Sequence, residues 1–318
     1  MVVARIVLFL LIVLVCGLAR ADTPTPPSEW SNIETVVVTA RKPGPVMWRV
    51  TKGDASVVLI GFVDPVPKDL KWNKDGVTEA LTGARQLLLN AQASVGLVEG
   101  LWYLTWHSGD IHLPDGTTVE QTLPEPLRKR YLAALAKSGH DADRYSSLRP
   151  PLAMLRLEGD VNEAQGFTGQ EPSTSIHDIA RHLGVSAKPV ADYEALPMLR
   201  ALPQMSAATN EACVKAALDD IDDIAAHAKP AAEAWAIGDL DTLKANWSEQ
   251  RFQRCIQLVP GVAVLFQRAV RDSVMAVNTA LTQPGKTVMI VSFDALLKKD
   301  GILDRLKAEG LEIEQPAS

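Results

Sequence analysis

The segment Val57-Val58-Leu59-Ile60-Gly61-Phe62-Val63-Asp64-Pro65-Val66-Pro67 constrains this chain more than any other. Its uninterrupted apolar start predicts a strand covered on both faces, as in the interior of an α/β sheet. A glycine, a carboxylate and two prolines then end the strand, and open α/β sheets carry their sites in loops at strand carboxyl ends. Lys286-Thr287-Val288-Met289-Ile290-Val291-Ser292-Phe293-Asp294-Ala295 echoes the pattern late in the chain, before Asp300-Gly301 and a helix. Two such strand ends would line one pocket. The expected fold is α/β, a mixed central sheet flanked by helices, with a helix-rich insertion between residues 120 and 285.

The amino terminus reads as an export signal. Arg5 precedes the apolar run Ile6 to Leu18, and Ala19-Arg20-Ala21 has the small-x-small form of a cleavage site. That run is short for a membrane span, and Val15 before Cys16 is a poor fit to a lipoprotein signal. Cleavage after Ala21 leaves 30 basic residues against 38 acidic ones, a net charge of about −8. No basic patch stands out, which argues against nucleic acid as a partner. Export places the protein in a periplasmic or secreted setting, where Cys213 and Cys255 would tend to pair. Each lies on the apolar side of a predicted helix; a disulfide is the favoured reading and two buried thiols the alternative.

Three regions follow: 1–21 as signal, 22–44 as a flexible leader rich in Pro, Thr and Ser, and 45–318 as the folded domain. Within the leader, residues 34–42 (Glu34-Thr35-Val36-Val37-Val38-Thr39-Ala40-Arg41-Lys42) resemble the TonB box near the amino terminus of outer-membrane receptors. That resemblance implies a TonB-type partner; an edge strand or extended arm is the plainer reading. Met47–Thr51 and Ser56–Ile60 should pair across Lys52-Gly53-Asp54 as a hairpin. A helix over 75–84 and a strand over 86–89 come next, with Asn90 at its end. Glycine and tryptophan over 96–115 suggest loops with a short element. Helices are expected over 124–138, 151–163, 175–183, 206–228, 230–238, 248–258 and 262–281, with a strand over 186–190. Strand 287–291, helix 301–309 and strand 311–315 close the chain.

Six histidines make no strong constellation. His107 and His112 are five apart in a predicted loop; His177 and His182 are five apart on a helix, roughly 140° apart around its axis. Helical zinc pairs use spacings of three or four, so solvated surface histidines are the simpler reading. The dinucleotide glycine motif, the P-loop and the Gly-x-Ser-x-Gly elbow are absent.

Several pieces in order resemble one family: Trp48 and the strand into Gly61, strand 86–89, Trp235-Ala236-Ile237-Gly238-Asp239, Arg271-Asp272-Ser273-Val274-Met275-Ala276, and the final strand with Asp300-Gly301. Together they resemble the TraB/GumN family, which includes the Tiki proteases. The resemblance implies a metal-dependent hydrolase whose ligands come from two Gly-x-x-His motifs and a glutamate. This chain departs at those positions: Asp64 replaces the first histidine, Asn90 the glutamate, and Ala295 the second histidine, with Ser292 for its glycine. Gly61 and Arg271 match, while Asp272 stands for the family's asparagine.

A neutral amide and a methyl group cannot replace a carboxylate and an imidazole as ligands. Asp64 with Asp294 could hold a divalent metal such as Mg²⁺ or Ca²⁺ through oxygen. Otherwise Asp64 is a turn residue before Pro65. Arg271 would bind an anion or sit on a solvated face. The candidate pocket is Gly61, Asp64, Asn90, Arg271, Ser292 and Asp294. The leading expectation is an exported, catalytically degenerate protein that binds a peptide, glycan or envelope protein, with no cofactor. The alternative is a metal-dependent, peptidase-like hydrolase rebuilt around Asp64.

Overall fold

The computed structural model describes residues 43–259 and 261–314. The expected signal, most of the leader and the whole of segment 34–42 lie outside the described residues. Ten strands are described: β1 (Met47–Lys52), β2 (Ala55–Phe62), β3 (Val66–Pro67), β4 (Ala84–Leu89), β5 (Gln92–Ser94), β6 (Phe167–Thr168), β7 (Ala187–Pro189), β8 (Asp192–Glu194), β9 (Gly285–Ser292) and β10 (Glu312–Glu314). Six form a mixed sheet in the order β10-β1-β2-β9-β4-β7. β1 pairs antiparallel with β2, closing the expected hairpin with Lys52 opposite Ala55. Gly53 in its two-residue turn has φ +56°, where a side chain would be strained.

β2, β9, β4 and β7 run parallel, so their carboxyl ends share one edge. Phe62 lies opposite Ser292, which brings the early and late strand ends side by side. β2 is buried on both faces, as its apolar run requires. Val58, Ile60 and Phe62 pack with Val77, Leu81 and Ile176. These come from α1 (Asp75–Leu81) and, further along, the helix Ser173–His182. On the other face, a Cβ built on Gly61 would lie 3.1 Å from Leu296, 3.5 Å from Phe293 and 3.6 Å from Trp48.

The insertion is helical, as expected. The helix α2 (Leu97–Trp106) precedes it, and its main elements are α3 (Glu125–Ser138), α4 (Pro150–Ala164), α5 (Ser173–His182), α6 (Ala207–Ile237), α7 (Arg251–Ile256) and α8 (Val262–Ala280). α3, α4, α6 and α7 share a second core around Tyr131, Tyr145, Met154, Leu157 and Ile221. The Cys213–Cys255 disulfide clips α6 to α7 inside that core, with a Cα–Cα distance of 5.3 Å. After β9 come α9 (Phe293–Leu297) and α10 (Ile302–Ala308).

Two local expectations are corrected. Residues 96–115 contain the ten-residue α2, begun at Gly96, and a helical turn over Ser108–Ile111. Leu97 (80 % exposed), Val98, Trp102 and Trp106 leave α2 largely uncovered among the described residues, so the composition suggested loop where the backbone is helical. Second, 206–228 and 230–238 are one helix, α6, with Pro230 inside it. The proline forfeits one backbone hydrogen bond, and burial of Ala228, Ala231, Ala232 and Trp235 around it offsets that loss.

Gly301 yields a sharp test. A Cβ there would sit 2.6 Å from the Lys298 carbonyl oxygen and 2.7 Å from that of Ala295. Backbone atoms cannot yield as a side-chain tip can. Gly301→Ala is expected to destabilise by about 2–3 kcal/mol in denaturant titration. A loss within experimental error would show that this turn is not as tight as described.

Candidate functional site

A cavity of about 750 Å³ opens where β2 ends. Ligand sites of small molecules span roughly 300–1,000 Å³, so the volume fits a bound group of several side chains' size. Val63, Asp64 and Pro65 form its sheet side, and the Asp64–Pro65 peptide is cis. α4 supplies a stripe of Leu155, Glu158, Gly159, Asn162 and Glu163. Those positions recur at i, i+3, i+4, i+7 and i+8, one face of a helix whose opposite face holds Met154, Leu157 and Val161 in the core. α6 adds Asp220, Ile224, Ala228 and Ala231, and the segment into α7 adds Trp247, Gln250 and Phe252. Trp247 also packs on Phe293, with ring centroids 4.9 Å apart, so the cavity wall touches the helix after β9.

The carboxyls differ in how they are held. Asp220 accepts from the backbone N–H groups of Arg251 and Phe252 and pairs with the Arg251 guanidinium at 3.3 Å. Glu163 lies 3.4 Å from Lys68 Nζ at the surface. Asp64 and Glu158 have neither a side-chain hydrogen bond nor an ion pair among the described residues. Asp64 lines the cavity and is exposed, yet desolvation by the surrounding protein pushes its carboxyl up to about 6. Glu158 is half-buried; burial, and then the negative charges of Asp220 and Asp64, push it up to about 7.

These shifts give stability a direction with pH. The unfolded reference values are 3.8 for Asp64 and 4.5 for Glu158. Between those values and neutrality the folded state holds more protons than the unfolded one. Stability contributed by the two groups is therefore complete below about pH 4 and declines as pH rises to about 7. The lowered carboxyls of Asp160 and Asp219 act in the opposite sense, in the acid range below the usual carboxylate value. Glu158→Gln is expected to melt above the unmodified protein at about pH 8 and level with it near pH 4. The same pH dependence in both proteins would refute the assignment.

The structure separates the residues singled out from sequence. Asp64 lines the cavity, whereas Gly61, Asn90, Arg271, Ser292 and Asp294 are not among its lining residues. The Gly61 carbonyl accepts a 2.6 Å hydrogen bond from Trp235 Nε1, joining β2 to α6. Ser292 caps α9, its Oγ accepting from the Ala295 N–H at 3.3 Å. Asp294 forms an ion pair with Lys298 at 2.5 Å. Asn90 is half-buried between β4 and β5. Arg271 is exposed on α8, and its neighbour Asp272 accepts a 2.6 Å hydrogen bond from the Tyr193 hydroxyl on β8. Glu158, Asn162 and Trp247 escaped the sequence reading. The helix that carries Glu158 and Asn162 was expected over 151–163, but nothing local says that one of its faces meets the end of β2.

Fold and site together define an α/β protein with a helix-walled cavity at the carboxyl edge of its sheet. A family model described as the TraB/PrgY/gumN family matches residues 46–315, and the chain belongs to that family. No curated protein and no solved structure is significantly similar to it. The residues at the positions of the family's expected ligands do not fit its metal. Asp64 offers one carboxylate, Ala295 offers none, and Asn90 does not line the cavity. Among the described residues no group of three or more His, Cys, Asp or Glu side chains converges as a metal site.

Proposed function

We propose that this chain is an exported, catalytically degenerate member of its family that binds a peptide, glycan or envelope protein in the cavity beside Asp64. The observation that carries this reading is a cavity of about 750 Å³ at the sheet edge, in a chain whose residues at the positions where the resemblance expects ligands are Asp64, Asn90 and Ala295. Amide side chains, Trp247 and two unpaired carboxyls give it polar specificity over an apolar floor. Export rests on the amino-terminal signal, and segment 34–42 would dock the protein to a TonB-type partner.

Gly159 offers a clean test, because a Cβ on it meets nothing within 4 Å. Gly159→Trp is therefore expected to place an indole in the cavity. Probes retained by the unmodified protein on peptide and glycan arrays are expected to be lost in Gly159→Trp at unchanged melting temperature. Retention by both proteins would place the binding surface elsewhere.

A second reading is a hydrolase rebuilt around Asp64. It is favoured by the raised carboxyls of Asp64 and Glu158, since a carboxyl kept protonated near neutrality can act as a general acid. Turnover that falls above about pH 7 and disappears in Glu158→Gln would favour it over the binding reading.

A further inference from the structure

We infer that α2 is a dimerisation helix, packing against α2 of a second copy of this chain across a two-fold axis. The inference is independent of the cavity. Leu97, Val98, Leu101, Trp102, Leu104 and Trp106 are each at least 52 % exposed. Tyr103, on the other side of the helix, is buried. Its hydroxyl donates to Asp110 at 2.6 Å, and its ring stacks on His107 with centroids 5.0 Å apart. That ring holds α2 to the body. At about 100° per residue, the six exposed side chains sweep roughly 200° of the helix circumference. Leu97, Leu101 and Leu104 make one ridge; Val98, Trp102 and Trp106, four apart, make the next. Ridges at such spacing pack into the groove of a like helix.

The area points to a partner of the chain's own kind. Together the six side chains expose on the order of 700 Å² of apolar surface, with up to about 250 Å² for a whole tryptophan. The largest apolar patch on a typical monomer is about 300–600 Å², and a standard interface takes about 800 Å² from each partner. α2 therefore supplies most of one half of a standard dimer contact. Its composition, leucine and tryptophan with no lysine or arginine, is that of an interface core.

Charge favours a second copy over a lipid surface. Residues 86–127 contain five acids and no lysine or arginine. Helices that lie on membranes carry Lys or Arg on their polar face. A second copy supplies the missing cation. Arg200, on the helix Leu196–Ala201, is exposed, and its guanidinium lies 5.6 Å from the Tyr103 ring. Glu99 is exposed on α2. Among the described residues neither Glu99 nor Arg200 has an ion-pair partner. A two-fold axis centred between Leu101 and Trp102 runs the helices antiparallel. Leu97 then meets Trp106 of the second copy. Glu99 comes level with Tyr103 and Leu104 of that copy, beside its Arg200. Two Glu99–Arg200 pairs form, one at each end of the isologous contact.

Sedimentation velocity and light scattering on the full chain test the inference. A dimer is expected at micromolar concentration. Leu101→Asp and Trp106→Asp should each weaken it at least about tenfold while circular dichroism stays native. Glu99→Arg and Arg200→Glu should each weaken it by about tenfold, and the two changes in one chain should restore it. An unspecific apolar contact would show no such restoration, so a double variant as weak as the single ones would overturn the two-fold pairing. A monomer at every concentration up to millimolar would overturn the inference, as would a dimer indifferent to Leu101→Asp. A monomer that floats with phosphatidylcholine vesicles, and no longer does so as Leu101→Asp, would contradict it and assign α2 to lipid. A monomer whose tryptophan fluorescence is shielded from acrylamide until Leu101→Asp exposes it would also contradict it, and would assign the cover of α2 to residues 1–42 of the same chain.

Discussion

Replacing Cys213 and Cys255 together by alanine is expected to lower the unfolding free energy by about 4 kcal/mol. The bridge spans 42 residues of sequence, and closing a loop of that length removes a corresponding amount of entropy from the unfolded chain. Both cysteines are buried in the helical core, so alanine there leaves small voids that add to the loss. The bridge also positions function, because α7 begins where Gln250 and Phe252 line the cavity. Denaturant titration of the double variant should show a loss at least as large as that produced by reductant in the unmodified protein. A loss below about 1 kcal/mol in both would mean that the helical core alone holds α7 in place.

Trp235→Ala is expected to be at least as damaging, at about 3–5 kcal/mol from lost packing. Trp235 is fully buried, stacks edge-on with Trp72 at 5.3 Å and donates to the Gly61 carbonyl. It is thus the peg by which α6 grips the strand that ends at Asp64. Trp235→Phe separates the two roles. It keeps most of the ring but leaves the Gly61 oxygen without its donor, at about 1–3 kcal/mol. If Trp235→Phe costs nothing, water replaces the indole and the grip is packing alone.

What could be read from sequence was local. The hairpin of β1 and β2 follows from a two-residue turn between apolar runs, and β9 from its own composition. The disulfide was legible because two cysteines lay on apolar helix faces in a chain whose amino terminus reads as an export signal. α2 was not legible: Gly96, Gly100 and Gly109 speak for loops, and its exposed leucines and tryptophans give no packing face. Local rules predict a break at Pro230 because they weigh the missing N–H and not the burial on either side of it. The site was half legible. The sheet topology confirms that β2, β4 and β9 end on one edge, yet side chains leaving one edge can point to different places. Asp64 turns toward α4 and α6, Asp294 to its own helix, and Arg271 lies on the exposed side of α8. Glu158 carried no motif, and its partnership with Asp64 exists only across 94 residues of chain, as their positions in the sequence show.

The central claim is that the cavity binds without a catalytic metal. Metal content of the purified full chain, followed by thermal melts across Mn²⁺, Co²⁺, Zn²⁺, Mg²⁺ and Ca²⁺, tests it most directly. Binding to the native state alone must stabilise, by about 2.7 kcal/mol at a hundred times the dissociation constant. The expected result is no stoichiometric metal and no shift with any ion. One metal per chain, with a melting shift abolished by Asp64→Ala, would contradict it and make the chain a rebuilt hydrolase.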